Sequence, residues 1–93
     1  MAHKLIIKPE AKVEIEEALE WYEKKRSELS LELLNELSDV LDRITNNPDS
    51  FQRRYRNIRM VFTVRFPYGV HYTVENQTIY VHAFMHMKQK PRT

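Results

Sequence analysis

From Ile58 to Tyr72 the chain reads IRMVFTVRFPYGVHY, and no other stretch restricts its folding so closely. Ile58, Met60, Phe62, Val64 and Phe66 fall on one side of an extended chain, with Arg59, Val61, Thr63 and Arg65 on the other. Successive side chains of a strand point to opposite faces, so the pattern predicts a half-buried strand with a polar outer face. After Pro67-Tyr68-Gly69 a second alternation sets Val70, Tyr72 and Val74 inward and His71, Thr73 and Glu75 outward. Opposed residues of an antiparallel pair share a face, so this pattern selects the register. A three-residue loop Pro67-Tyr68-Gly69 opposes Phe66 to Val70, Val64 to Tyr72 and Phe62 to Val74. A two-residue turn would instead set Arg65 against Val70. Proline suits the second position of a type I turn, and Gly69, the only glycine of the chain, suits a left-handed residue after it.

A further turn at Asn76-Gln77 opposes Val74 to Ile79, Tyr72 to Val81 and Val70 to Ala83. Glycine would be preferred where Gln77 stands. Joining the two registers predicts an outer face with Arg65, His71 and His82 in one row and Thr63, Thr73 and Tyr80 in the next. Phe84 and His86 extend that face toward the chain end, and Arg59 lies further along the first strand.

Upstream, KLIIK (Lys4 to Lys8) reads as a short strand stopped by Pro9, which suits the first turn of a helix. Ala11, Ile15, Ala18, Leu19 and Tyr22 then recur at helical spacing, with Val13 and Trp21 widening the stripe toward the core. Glu16, Glu17, Glu20 and Glu23 precede Lys24, Lys25 and Arg26, the order the helix dipole favours, and read as a solvated face. Ser30 is the predicted cap of a second helix, with Ser27 competing one turn earlier. Leu33, Leu34, Leu37, Val40, Leu41 and Ile44 give that helix its apolar face, and Asn46-Asn47-Pro48 ends it. So short a connection makes an antiparallel helical hairpin. Residues 48 to 57 read as a loop or irregular strand entry. Laid on the inner face of the sheet, the hairpin makes a two-layer α+β domain with an open outer face.

Ninety-three residues form one domain, with the tail 87–93 short and basic. The chain has no cysteine, so disulfides and thiolate metal sites are excluded. MAHKLIIKPE carries an apolar run too short for a signal peptide or membrane span, and a soluble, cytoplasmic chain is expected. Charge is segregated: residues 1–50 hold seven Lys/Arg and twelve Asp/Glu, residues 51–93 eight Lys/Arg and the single acid Glu75. Such a basic half suits phosphate or an acidic protein partner.

An outer face of arginine, histidine, tyrosine and phenylalanine could hold RNA, with arginine on phosphate, aromatics on bases and histidine moving protons. Metal-free ribonuclease chemistry needs a base, a cation for the phosphate charge and an acid. His71, His82, His86, Arg59 and Arg65 supply those types. No carboxylate or thiolate completes a metal set around His71 and His82, and no phosphate-binding glycine loop, nucleophile elbow or paired-carboxylate motif occurs. Neither metal nor cofactor is expected.

Taken in order, these residues resemble the RelE/ParE superfamily of toxins from bacterial type II toxin–antitoxin pairs. The resemblance spans nearly the whole chain. It rests on A-x3-I-x2-A-x2-WYE from Ala11 to Glu23, the leucine-rich second helix and the Asn-Pro after it. It continues with Ile58-Arg59, Phe66-Pro67-Tyr68 with Tyr72, the I-x-V-x-A run at Ile79, Val81 and Ala83, and His86 followed by bases and Pro91. It implies a β-α-α-β-β-β fold with a mainly antiparallel four-stranded sheet, and a growth-inhibiting toxin wrapped by a cognate antitoxin. RelE-like members cut messenger RNA on the ribosome, whereas ParE-like members inhibit DNA gyrase. The expected mechanism is ribosome-dependent RNA cleavage, with gyrase inhibition as the alternative. By match to the family, Arg59 and His86 are the candidate catalytic residues, and Arg54, with Arg53 beside it, stands where RelE-like enzymes carry lysines. Met87 replaces the tyrosine some nucleases carry after the last strand. Arg53, Arg56, Arg65, His71, Tyr80, His82, Phe84 and Lys88 are the candidate contacts to target or antitoxin.

Overall fold

A computed structural model describes residues 3–87 of the chain. Its elements run β1 (Lys4–Ile7), α1 (Pro9–Lys25), α2 (Ser27–Asn46), a 3-10 turn (Pro48–Ser50), β2 (Arg53–Tyr55), β3 (Ile58–Phe62), β4 (Tyr68–Glu75) and β5 (Thr78–His86). Two helices thus pack on a five-stranded mixed sheet of order β1-β5-β4-β3-β2, in which β1 runs parallel to β5 and the other pairs are antiparallel. The two-layer α+β architecture is as expected. The sheet has a fifth strand because Arg53–Tyr55, within the stretch read as a loop or irregular strand entry, pairs with β3 through a two-residue turn at Arg56-Asn57. Arg56 takes a left-handed φ of 53° there.

Pro9 opens α1 at its first position, and Arg26 alone separates the helices. Neither expected serine caps α2: Arg26 stands at the N-cap with extended backbone, and no side chain caps the helix. At the other end Asn47 keeps a negative φ of −144° while its N–H reaches the Arg43 carbonyl at 3.0 Å. Ala11 and Ala18 of α1 and Leu33, Leu37, Val40 and Ile44 of α2 meet Val61, Val70, Tyr72, Ile79, Val81 and Phe84 of the sheet. Trp21 does not join them. It is 57% exposed, with the Lys25 ammonium 4.6 Å above its ring, because the small Ala18 occupies the contact with the sheet.

The register between β3 and β4 differs from expectation by five residues. Arg59 opposes Tyr72, Met60 opposes His71, Val61 opposes Val70 and Phe62 opposes Gly69. An odd shift turns the whole strand over. Val61 and Arg59 therefore face the helices, and Met60 and Phe62 lie on the open face. The strand ends at Phe62, and the loop after it is tied to α2 at Val64 and Arg65. The Glu36 carboxylate accepts the N–H groups of Val64 and Arg65, both at 3.0 Å, and Glu32 pairs with the Arg65 guanidinium. Thr63 donates its hydroxyl to the Phe66 carbonyl, and Phe66 turns into the core edge-on to Tyr22, centroids 5.0 Å apart. Gly69 lies inside β4 with a negative φ, so the expected left-handed role does not apply. Its use is space: a Cβ there would sit 3.2 Å from the Phe62 ring and 3.3 Å from the Met60 methyl.

Between β4 and β5 the expected pairs Val74–Ile79 and Tyr72–Val81 form, around a two-residue turn whose Asn76 supplies the positive φ. Beyond Val81 a β-bulge intervenes. Tyr72 and His71 are consecutive, yet their partners are Val81 and Ala83, which leaves His82 as the extra residue. Val70 consequently opposes Phe84 in place of Ala83.

Candidate functional site

The turned-over strand and the bulge dissolve the expected row. Arg65 leaves the sheet for Glu32, His71 lies between Met60 and Ala83, and His82 bonds to Thr73. The neighbouring row keeps only Thr73 opposite Tyr80, since Thr63 is buried in the loop. Phe84, expected on the open face, is 2% exposed in the core on the helix side, because the bulge reverses the alternation after His82.

Arg59 has a definite structural task. Its guanidinium donates to the Phe51 carbonyl, to the Asp49 carbonyl at 3.3 Å and to the Asp49 carboxylate at 3.4 Å. It thereby pins the segment after α2 to β3. Tyr72 beside it donates to the Pro48 carbonyl at 2.6 Å. Burial, offset in part by Arg59, pushes the Tyr72 phenol up to about 12.

His86 lies elsewhere, at the end of β5. Its ring meets Tyr68 edge-on, centroids 5.4 Å apart, and Tyr68 stacks face to face on Phe84 at 4.6 Å. Burial, with Tyr22 beside it, pushes the Tyr68 phenol up to about 12. These rings and Glu14, Glu17 and Trp21 of α1 border a shallow cleft of about 260 Å³. One Glu14 oxygen accepts the Phe84 N–H at 3.0 Å, at a point of β5 beyond its pairing with β1. Nothing in the helical pattern marks Glu14 for this task, since the acceptor is needed only once β5 arrives.

The open face divides into two ends. At one, Glu10, Arg56, Thr73, Glu75 and His82 line a polar cleft of about 450 Å³. Thr73 Oγ1 and His82 Nε2 are 2.7 Å apart. Burial and the Lys8 charge hold the His82 imidazole below the usual histidine value of 6.5, against the pull of Glu75 and Glu10. Lys8 also lies over the Tyr80 ring, 5.6 Å from its centroid. At the other end Met60, Phe62, His71 and Met85 surround Gly69.

Arg53, Arg54 and Arg56 are exposed on β2 and its turn. Arg54 lies over the Phe62 ring at 5.6 Å and Arg56 over Tyr55 at 5.4 Å, so the cations are held on aromatic faces at the sheet edge. Of the three catalytic candidates Arg59 stands apart, whereas His86 and the Phe62 ring on which Arg54 lies line the same pocket beside Gly69. Lys88 lies outside the described residues.

No family model and no curated protein matches the sequence. Among solved structures, the chain superposes on a protein of the "Chromosomal ParDE TA system from P. aeruginosa" with a TM-score of 0.81. The match covers 94% of this chain and 98% of that one at 11% identity. The two proteins share a fold. That likeness matches the architecture the sequence resemblance implied: a helical hairpin against a mainly antiparallel sheet. No helix among the described residues is long and apolar enough to cross a membrane.

Proposed function

We propose that this chain is the toxin of a type II toxin–antitoxin pair, held inactive by a cognate antitoxin, and that it arrests growth by binding DNA gyrase. The observation that carries the choice against RNA cleavage is the engagement of Arg59. Arg59, the arginine the family match places at the start of the sheet meander, already donates to two backbone carbonyls and a carboxylate. A cation that serves cleavage must be aimed at the reacting phosphate, and this one is aimed into its own scaffold. His86 stands apart from it, at the far end of β5. The structural neighbour comes from a ParDE toxin–antitoxin system, which supports an antitoxin partner. Arg53, Arg54 and Arg56 would meet acidic groups of that antitoxin or of the target, in the cytoplasm.

Messenger RNA cleavage is the second reading, favoured by the polar cleft. His82, oriented by Thr73 and held toward its neutral form, shares that cleft with Arg56 and Glu75, which are the types a base, cation and acid require. One experiment separates the readings. Purified protein is added to gyrase supercoiling reactions, and transcript ends are mapped in cells expressing it. Blocked supercoiling with intact messages is expected. Codon-edge cuts with normal supercoiling would overturn the gyrase reading in favour of cleavage, and neither effect would sink both.

A further inference from the structure

The methionine-lined end of the open face has donor chemistry that neither reading uses. Met60 on β3 stands directly opposite His71 on β4. His71 in turn stands opposite Ala83 on β5, and Met85 lies two residues further along the same face. Side chains directly opposed on a sheet have Cβ atoms roughly 4.5–5.5 Å apart, and diagonal ones roughly 7–8 Å. Both gaps are within the reach of a methionine side chain.

Gly69 then decides where those side chains go. It is opposite Met85, and the Met60 methyl lies 3.3 Å from the point a Gly69 Cβ would occupy. The Met60 side chain therefore reaches to Gly69, the residue opposite Met85, where the Phe62 ring also lies, 3.2 Å from the same point. Met87, more than half exposed, borders the same pocket of about 190 Å³. His71 and Met85 are both buried, at 8% and 6% exposure.

Thioether sulfur is a soft ligand, and with imidazole it selects Cu(I)-like ions over hard cations. Among the described residues no three of His, Cys, Asp and Glu are grouped to hold a metal, which leaves Mg²⁺, Ca²⁺ or a conventional zinc set without donors. We propose that Met60, Met85 and the His71 imidazole form a binding site for a soft monovalent metal ion, Cu(I) by class, in the pocket beside Gly69. Met87 is placed to close over it. An ion bound there cross-links β3, β4 and β5 on the face opposite the helices. Such binding is independent of which target the protein inhibits.

The test uses the full chain carrying ¹³C-labelled methionine methyls, titrated with Ag(I) in chloride-free buffer, and with Cu(I) against a competing chelator. Saturation at one equivalent is expected, with the Met60 and Met85 methyl signals and the His71 ring signals moving together. Met60→Leu and Met85→Leu keep the volume of the pocket, so the fold should persist while affinity falls at least about tenfold. Absence of methyl shifts at one equivalent, or shifts confined to Met1 and Met87, would overturn the site. So would parental affinity in both leucine variants. Should a variant fail to fold, the methyl shifts of the unmodified chain decide between site and no site.

Discussion

The Tyr72 hydroxyl donates to the Pro48 carbonyl at 2.6 Å, joining the middle strand of the sheet to the turn that follows α2. Both residues are buried, so removing the hydroxyl strands a carbonyl away from water. Tyr72→Phe should lower the unfolding free energy by about 1–3 kcal/mol, read from urea denaturation.

The same phenol predicts an alkaline limit. Tyr68 and Tyr72 are both raised from 10.0 to about 12, because burial disfavours the phenolate in the folded state. Their contribution to stability is complete below the unfolded value of 10.0 and is lost as pH rises through about 12. Urea midpoints should therefore fall on going from about pH 9 to about pH 11, and fall less in Tyr72→Phe.

His82 gives the opposite sign. Its folded value lies below the usual 6.5, so the stability it contributes is present above pH 6.5 and lost as pH falls through the folded value. An NMR titration of the ring should show a midpoint below 6.5, moved further down on removal of Glu75 by Glu75→Gln. A midpoint at or above 6.5 would contradict the burial assigned to it.

Glu36 holds the loop between β3 and β4 through two backbone N–H groups. Glu36→Ala should cost roughly 1–2 kcal/mol and speed hydrogen exchange at Val64 and Arg65 more than at neighbouring amides. Unchanged exchange at those two amides would mean that the loop keeps its shape without α2.

Arg59→Ala and His86→Ala should both relieve toxicity while antitoxin binding persists, but by different routes. The Arg59 variant should also lose about 1–3 kcal/mol of stability, since the carbonyls of Asp49 and Phe51 lose their donor. The His86 variant should unfold at nearly the parental urea concentration. A fully stable and inactive Arg59→Ala protein would restore a catalytic role to the arginine.

An element is legible in the sequence when the interaction that decides it is local. The helical hairpin and the Asn76-Gln77 turn follow from neighbouring residues, and each forms, although α2 starts one turn before Ser30. The register of β3 is not legible, because both faces of that strand carry apolar residues. Val61 can fill the core as well as Met60 or Phe62, so alternation alone cannot choose the side. The bulge at His82 carries no glycine or proline to announce it. Trp21 belongs to an apolar stripe wider than the surface the sheet offers, and is left outside.

The amino-acid order by itself determined the two helices, the strand-rich second half, the segregation of charge and the two-layer plan, because each arises from spacing within one segment. Tertiary structure alone decided which face of β3 is buried, where the β3–β4 strand pair ends and which arginine is committed to the scaffold. Those outcomes depend on Glu36, Glu32, Asp49 and the Phe51 carbonyl, groups brought to the strand from other parts of the chain. A one-residue slip in a strand exchanges its faces, so a few such contacts, each of modest energy, decide what the open surface carries.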